Sequence, residues 1–173
     1  MHLNKYYFIN KFEPDHIKKL NKDISIIYRN YSLPNNVDLI IKIRNFCNKN
    51  KRKFYISNNV KLAIKLNLDG VYIPSFNKDL NHLNYQIKNK FKIIGSAHNL
   101  KEIRIKENQG VSEIFISSIF KSNKNYLGYY KFKNLSSFTK RKVVALGGIK
   151  TSNIKRVYCL DVSGIAAISL YDK

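Results

Sequence analysis

The sequence predicts an α/β fold, a compact (β/α)8 TIM barrel that lacks its final outer helix. Three observations predict it. Short runs rich in Ile, Val, Phe and Tyr recur from end to end of the 173 residues, and they are continuous rather than alternating, as strands buried on both faces should be. Stretches with helical period separate them. No linker, low-complexity tract or charge block divides the chain, so one domain over residues 1–173 is expected. Repeated strand-then-helix units imply a parallel sheet with right-handed crossovers. An open doubly wound sheet is the alternative, but no G-x-G-x-x-G follows the first apolar run.

Taken in order, the expected strands are Tyr6–Asn10, Ile24–Tyr31, Lys53–Ser57, Gly70–Pro74, Lys92–His98, Glu113–Phe120, Lys142–Gly148 and Gly164–Tyr171. Between them, Asn36–Asn48 gathers Val37, Ile40, Ile41, Ile43 and Phe46 mostly on one helical face. Val60–Leu66 repeats the pattern with Val60, Ala63 and Ile64. Leu100–Asn108 follows Asn99, a good N-cap, with Glu102 placed for a capping box. Thr151–Cys159 opens on Thr-Ser-Asn capping chemistry after Gly147-Gly148. At roughly 22 residues per unit the barrel is economical beside the ~250 residues usual for this fold. Only Asp172 and Lys173 follow the eighth strand. The groove between the first and last units is therefore exposed unless the N-terminal segment or a second subunit covers it, and a homodimer is one of these two ways of closing it.

With 44% hydrophobic residues the composition is globular. Residues 1–10 carry no signal-peptide pattern, and apolar runs such as Ile114–Phe120 are too short to span a bilayer. A soluble, cytoplasmic protein without membrane partners is expected. Cys47 and Cys159 sit in no CxxC or Cys/His spacing, so both are expected as free thiols and not as metal ligands. The charge is extreme, 32 Lys and Arg against 11 Asp and Glu, net +21. Nucleic acid is one reading of that number. The cations are nonetheless spread along the chain, with no arginine-rich arm, RNP-like strand or helix-turn-helix pattern. An AT-rich coding bias, or attraction of small anions, accounts for the same charge, and nucleic acid is not the expected partner.

In such a barrel the C-terminal ends of the strands face the active site. Those ends present Arg29 and Tyr31, then Ser57, Asn58 and Asn59, then Pro74-Ser75, then Ser96 and His98. The later ones lead into Ser122, Asn123 and Lys124, Gly147-Gly148, and Ile168-Ser169. Glycines after the seventh strand let backbone N–H groups approach a phosphate, and the loops after strands seven and eight are the usual phosphate site of the fold. Ser169 can add a hydroxyl and an N–H. Gly-Gly can equally serve a tight turn. Arg29, on a buried strand with no acidic neighbour in sequence, calls for an anionic ligand. His98 suits a general acid/base, since imidazole titrates near neutrality, though a histidine bonded to backbone at a helix start fits as well. His2, His16 and His82 are expected as plain surface residues. Neither paired catalytic carboxylates nor a Ser-His-Asp set is visible.

The ordered strand ends resemble the thiamine phosphate synthase/TenI family over nearly the whole chain. The matching pieces are Ile26–Ser32, Ile56–Ala63, Asp69–Ser75, Ile94–Asn99, Ile119–Ser122, Ala145–Ile149 and Gly164–Ser169. The resemblance implies one of two activities. Synthases join a pyrimidine pyrophosphate to thiazole phosphate with Mg²⁺, releasing pyrophosphate; TenI-type tautomerases aromatise a thiazole carboxylate phosphate by moving a proton from ring to side chain. The departures favour the second. Ser57-Asn58-Asn59 replaces the synthases' Asn-Asp-Arg, whose Asp binds Mg²⁺, and Pro74–Asn77 replaces the stretch carrying a second Asp ligand. Tyr31 stands in place of a Lys, and the Thr-x-Thr-Lys pyrophosphate loop survives only as Ser122-Asn123-Lys124-Asn125. The resemblance thus implies Gly147, Gly148, Ile168 and Ser169 on a phosphate, with Arg29, Ser96, Asn58, Ser122 and Lys124 as further substrate contacts. His98 moves the proton, and no cofactor is needed unless Mg²⁺ serves a synthase. A non-catalytic binder of thiazole or thiamine phosphate is the remaining alternative.

Overall fold

In the computed structural model, which describes residues 3–33 and 36–172, every expected strand forms. β1 (Asn4–Ile9), β2 (Ile24–Tyr28), β3 (Phe54–Ser57), β4 (Gly70–Ile73), β5 (Lys92–Ala97), β6 (Glu113–Ile116), β7 (Lys142–Leu146) and β8 (Gly164–Ala167) pair in parallel, in chain order. β8 returns to β1, so the barrel is closed. The helices lie outside it: α1 (Pro14–Lys19), α2 (Val37–Lys49), α3 (Val60–Lys65), α4 (Leu100–Asn108), α5 (Gly128–Ser136) and α6 (Ile154–Tyr158).

Strand alternation sorts the core into two parts. Outward-facing residues such as Tyr7, Ile26, Ile56, Val71, Ile114 and Ile165 pack against the helices. Inward-facing Tyr6, Phe8, Ile27, Tyr55, Tyr72, Ile94, Phe115, Val144 and Ala166 fill the barrel, as its narrow interior demands. Rings dominate that filling. Phe115 lies 4.9 Å from Tyr6, 6.1 Å from Phe8 and 5.6 Å from Tyr72 between ring centroids, and Phe8 meets Tyr72 edge-on at 5.1 Å. At the N-terminal end of the barrel the fully buried Glu113 carboxylate accepts hydrogen bonds from Tyr6 Oη (2.8 Å), Lys92 Nζ (3.0 Å) and Asn4 Nδ2 (3.2 Å).

Several elements end before the apolar signal does. The sixth strand stops at Ile116, not Phe120, although Ile119 is fully buried. There the Ile119 and Phe120 N–H groups donate to Leu146 O and Gly147 O, so apolarity marks a buried loop. The seventh stops at Leu146 because Gly147 and Gly148 take φ of 105° and 74°. The second ends at Tyr28 and the eighth at Ala167. The last expected helix starts at Ile154, not Thr151, since the Asn153 carboxamide accepts the Lys150 N–H and bends the chain first. After β4 no α-helix forms among the described residues; a 3₁₀ turn (Asn81–Asn84) stands there. Asn77 and Asp79 accept backbone N–H groups two residues on, which competes with helix. His82, expected at the surface, is 4% exposed and its Nε2 pairs with Gln109 O at 2.8 Å.

The groove beside β1 is lined by the chain's own last described residues. The Tyr171 N–H donates to Ile168 O (2.8 Å), turning the chain back. Tyr171 is buried with its ring 5.5 Å from Tyr7, whose hydroxyl donates to Asp172 (2.5 Å).

The long β4–β5 connection is fastened by Lys106, wholly buried on α4, whose Nζ donates to Asn77 O (2.8 Å) and Gln109 Oε1 (2.7 Å). Burial pushes its ammonium from 10.5 down to about 8. Above pH 8 the unfolded chain keeps a proton that the folded chain has released, so stability rises with pH. Burial raises the Cys47 thiol to about 12 and opposes the trend once free thiols ionise near pH 9. Urea unfolding should therefore show a gain of roughly 1 kcal/mol from pH 8 to 9 that Lys106→Met abolishes; a flat wild-type profile would contradict this. Phe115→Ala should cost about 4 kcal/mol in the same assay, and a loss under 1 kcal/mol would mean the ring cluster does not hold the barrel.

Candidate functional site

At the C-terminal end of the barrel the loops after β6, β7 and β8 enclose a cavity of about 660 Å³. Gly147, Gly148, Ile168, Ser169, Ser122 and Arg29 all line it. The glycines are required by close approach. A Cβ on Gly147 would stand 2.4 Å from Ser118 Oγ, and one on Gly148 2.6 Å from the Lys121 nitrogen. The β6 loop thus lies directly on this turn, with Ser118 Oγ bonded to both Lys121 N (3.2 Å) and Lys121 O (2.9 Å). The N–H groups of Gly148 and Ser169 donate to nothing among the described residues, while Gly148 O accepts from Asn153 Nδ2 (2.9 Å). Gly-Gly makes a tight turn, and that turn leaves a backbone N–H at a cavity wall. The glycines do not open a helix, because α6 begins well after them.

Arg29 follows β2 and projects over the mouth. Its guanidinium carbon sits 4.5 Å from the centroid of Phe8. Burial pushes the Tyr72 phenol up to about 12, with the bonds from Ser96 and Arg29 pulling the other way. Arg29 enters none of the ion pairs among the described residues. Lys121 and Lys150, which sequence reasoning missed, also line the cavity, and no carboxylate does. The signal was present: residues 114–160 contain neither Asp nor Glu. Placing a phosphate there sets its charge against three cations with no local repulsion.

The other expected residues lie further out. Ser96 is 4% exposed and does not line the cavity. Lys124 is exposed on the β6 loop and does not line the cavity. Asn58 lines a neighbouring pocket of about 240 Å³ with Ser57 and Tyr31. His98 follows β5 with its N–H donating to Glu102 (2.7 Å). Its Nδ1 lies 2.9 Å from Ser117 O and 3.1 Å from Ser117 Oγ. A carbonyl can only accept, so Nδ1 carries the hydrogen and Nε2 is left as the basic atom. His98 is thus a histidine at a helix start held by backbone, one hydrogen bond from Ser117 on the cavity wall.

The positions matched to the family's Mg²⁺ carboxylates offer amides. Asn77 Nδ2 donates to Asn58 Oδ1 at 2.6 Å, and Asn59 caps α3 by accepting the Leu62 N–H. No cluster of three His, Cys, Asp or Glu among the described residues is placed to hold a metal. This donor set does not fit a carboxylate-bound Mg²⁺.

The chain is a closed (β/α)8 TIM barrel with a cation-lined cavity at the C-terminal ends of β7 and β8, where barrels of this fold commonly bind phosphate. The chain belongs to the thiamine monophosphate synthase (TMP-TENI) family, whose pattern it matches over residues 22–170. It is 31% identical over 177 residues to a thiamine-phosphate synthase of Pelagibacter ubique, covering 97% of this chain and 84% of that one. It is 29% identical over 132 residues to one of Methanococcus vannielii, covering 74% of this chain and 64% of that protein, so it spans just under two thirds of the methanococcal relative. Among solved structures it resembles thiamine phosphate pyrophosphorylase from Pyrococcus furiosus, with a TM-score of 0.76, 21% identity and coverage of 97% and 90%. No helix among the described residues is long and apolar enough to cross a membrane.

Gly148→Ala places a methyl against the β6 loop backbone in a left-handed conformation. It should weaken binding of inorganic phosphate at least roughly tenfold, while circular dichroism keeps the barrel signature. Unchanged phosphate affinity would remove this turn from the site.

Proposed function

We propose that the chain is a cytoplasmic thiamine-biosynthesis enzyme that binds a thiazole phosphate and moves a proton on it without a metal. One observation carries this: amides stand hydrogen-bonded to one another where the family's Mg²⁺ carboxylates are expected, while Arg29 lines the cavity and His98 is bonded to Ser117 on its wall. Gly147, Gly148, Ile168 and Ser169 receive the phosphate through backbone N–H groups and the Ser169 hydroxyl, with Lys121 and Lys150 beside it. Arg29, lacking a carboxylate partner, steadies the thiazole's carboxylate. His98 Nε2 takes the proton from the ring carbon. The resulting imidazolium, held by Ser117 O, returns it to the side-chain carbon, so the ring gains aromaticity with no net change in atoms or charge. Ser122 adds a hydroxyl at the cavity wall, while Ser96, Asn58 and Lys124 contribute at longer range, Asn58 through its amide pair with Asn77.

The relatives' names favour a second reading, synthesis of thiamine phosphate from a pyrimidine pyrophosphate and thiazole phosphate. One set of assays decides. Thiazole carboxylate phosphate in D₂O should gain side-chain deuterium at a rate indifferent to Mg²⁺. His98→Ala should slow that exchange on the order of 10²- to 10⁴-fold with binding kept. Mg²⁺-dependent appearance of thiamine phosphate from both synthase substrates would establish the second reading instead. Binding without either reaction would leave a non-catalytic binder.

A further inference from the structure

Two large apolar side chains stand in the open beside the mouth. Tyr31 is 53% exposed and Phe76 62%, and their rings meet edge-on at 5.7 Å. They come from different loops, and both loops are fastened from below. The Asn30 carboxamide donates to Asn10 O (3.1 Å) and accepts from the Ser32 and Leu33 N–H groups, which fixes the turn bearing Tyr31. Asn77, next to Phe76, has its carbonyl held by the buried Lys106 Nζ (2.8 Å) and Gln109 Nε2 (3.2 Å), and its side chain held by Asn58. Exposed aromatic area on loops pinned this way is neither frayed chain nor core, and it marks a surface awaiting a partner.

The pair adjoins the phosphate cavity through shared walls. Tyr31 lines a second cavity of about 770 Å³, and Arg29 and Ile168 line both that one and the phosphate cavity. A small ligand with its phosphate at Gly148 and Ser169 extends past Arg29 toward Tyr31. That second cavity sets Lys11 and Arg29 against Glu13 and Asp172, so its charges balance, and an uncharged planar ring gains most from two aromatic neighbours.

We infer that Tyr31 and Phe76 form a subsite for the uncharged aromatic ring of the phosphorylated ligand and set the protein's preference for ring-bearing over aliphatic phosphates. The inference rests on the phosphate site proposed above, and the test separates the two. Calorimetric titration of the full chain with benzyl phosphate, ethyl phosphate and thiazole phosphate should show the ring compounds binding roughly tenfold more tightly than ethyl phosphate. In Tyr31→Ala and in Phe76→Ala that preference should fall toward unity with ethyl phosphate affinity unchanged, while Tyr158→Ala, exposed elsewhere, keeps it. Equal binding of ring and aliphatic phosphates by the wild type, or a preference that survives the double Tyr31→Ala/Phe76→Ala variant, overturns the subsite. A benzyl preference lost in those variants, with thiazole phosphate no better than ethyl phosphate, upholds the subsite and sinks the thiazole reading. Failure of all three phosphates to bind overturns both.

Discussion

Phe115 touches the rings of Tyr6, Phe8 and Tyr72, and strands of only four to six residues can close a barrel because these rings occupy the space they enclose. Each fully buried aromatic contributes roughly 1.5–3 kcal/mol of transfer free energy, and each edge-on pair roughly 1 kcal/mol more. The distribution is lopsided. Rings come from β1, β3, β4 and β6, whereas β7 and β8 offer Val144 and Ala166. Large side chains on one wall need small ones opposite. Arg29, which lines the cavity, lies over Phe8 at the top of this filling. A guanidinium resting on a packed ring has few alternative rotamers, so core packing also fixes a cation at the cavity wall.

Buried polar groups do for the loops what the rings do for the strands. Lys106 and Gln109 are fully buried, yet their side chains satisfy backbone carbonyls of Asn77 and Asp79 that no helix or strand would pair. Breaking such an arrangement leaves a charge stranded in the interior, and that cost is what fixes a long connection in a single path. The Asn58–Asn77 bond continues this network to the mouth. Replacing either amide by a carboxylate would change the charge there and also remove a donor–acceptor match the loop relies on.

Strand order and closure were legible because buried parallel strands write themselves as apolar runs, and α4 begins and ends where its cap and periodicity place it. Strand ends were not legible. Ile119 and Tyr171 are as buried as strand residues, but one sits in a loop crossing to β7 and the other in a turn folded onto Tyr7. Burial controls residue type, while hydrogen-bond register controls where a strand ends. At the site, the glycine turn, Ser169 and Arg29 were readable as strand-end chemistry and do share one cavity. Ser96 falls at a strand end by sequence but is nearly fully buried and does not line the cavity. Lys121 and Lys150 were invisible among so many lysines, since what distinguishes them is which cavity they line. His82 reads as a surface residue because only tertiary contact reveals a buried polar partner.

The net charge of +21 is best understood locally. Screening at physiological salt limits the reach of exposed charges to about 8 Å, so most of the lysines cannot act on a bound phosphate at all. What such a ligand meets is set by the nearest shell: three cations and no carboxylate. Elsewhere the few acids are already engaged, Asp23 with Lys5 and Glu107 with Arg104 and Thr139. Adding lysines uniformly would raise the total without changing the site. One carboxylate between residues 114 and 160 placed at the cavity wall would repel the ligand at close range and outweigh many distant cations. The empty stretch in the acidic pattern is therefore the part of the composition that bears on function, and the excess of lysine is background to it.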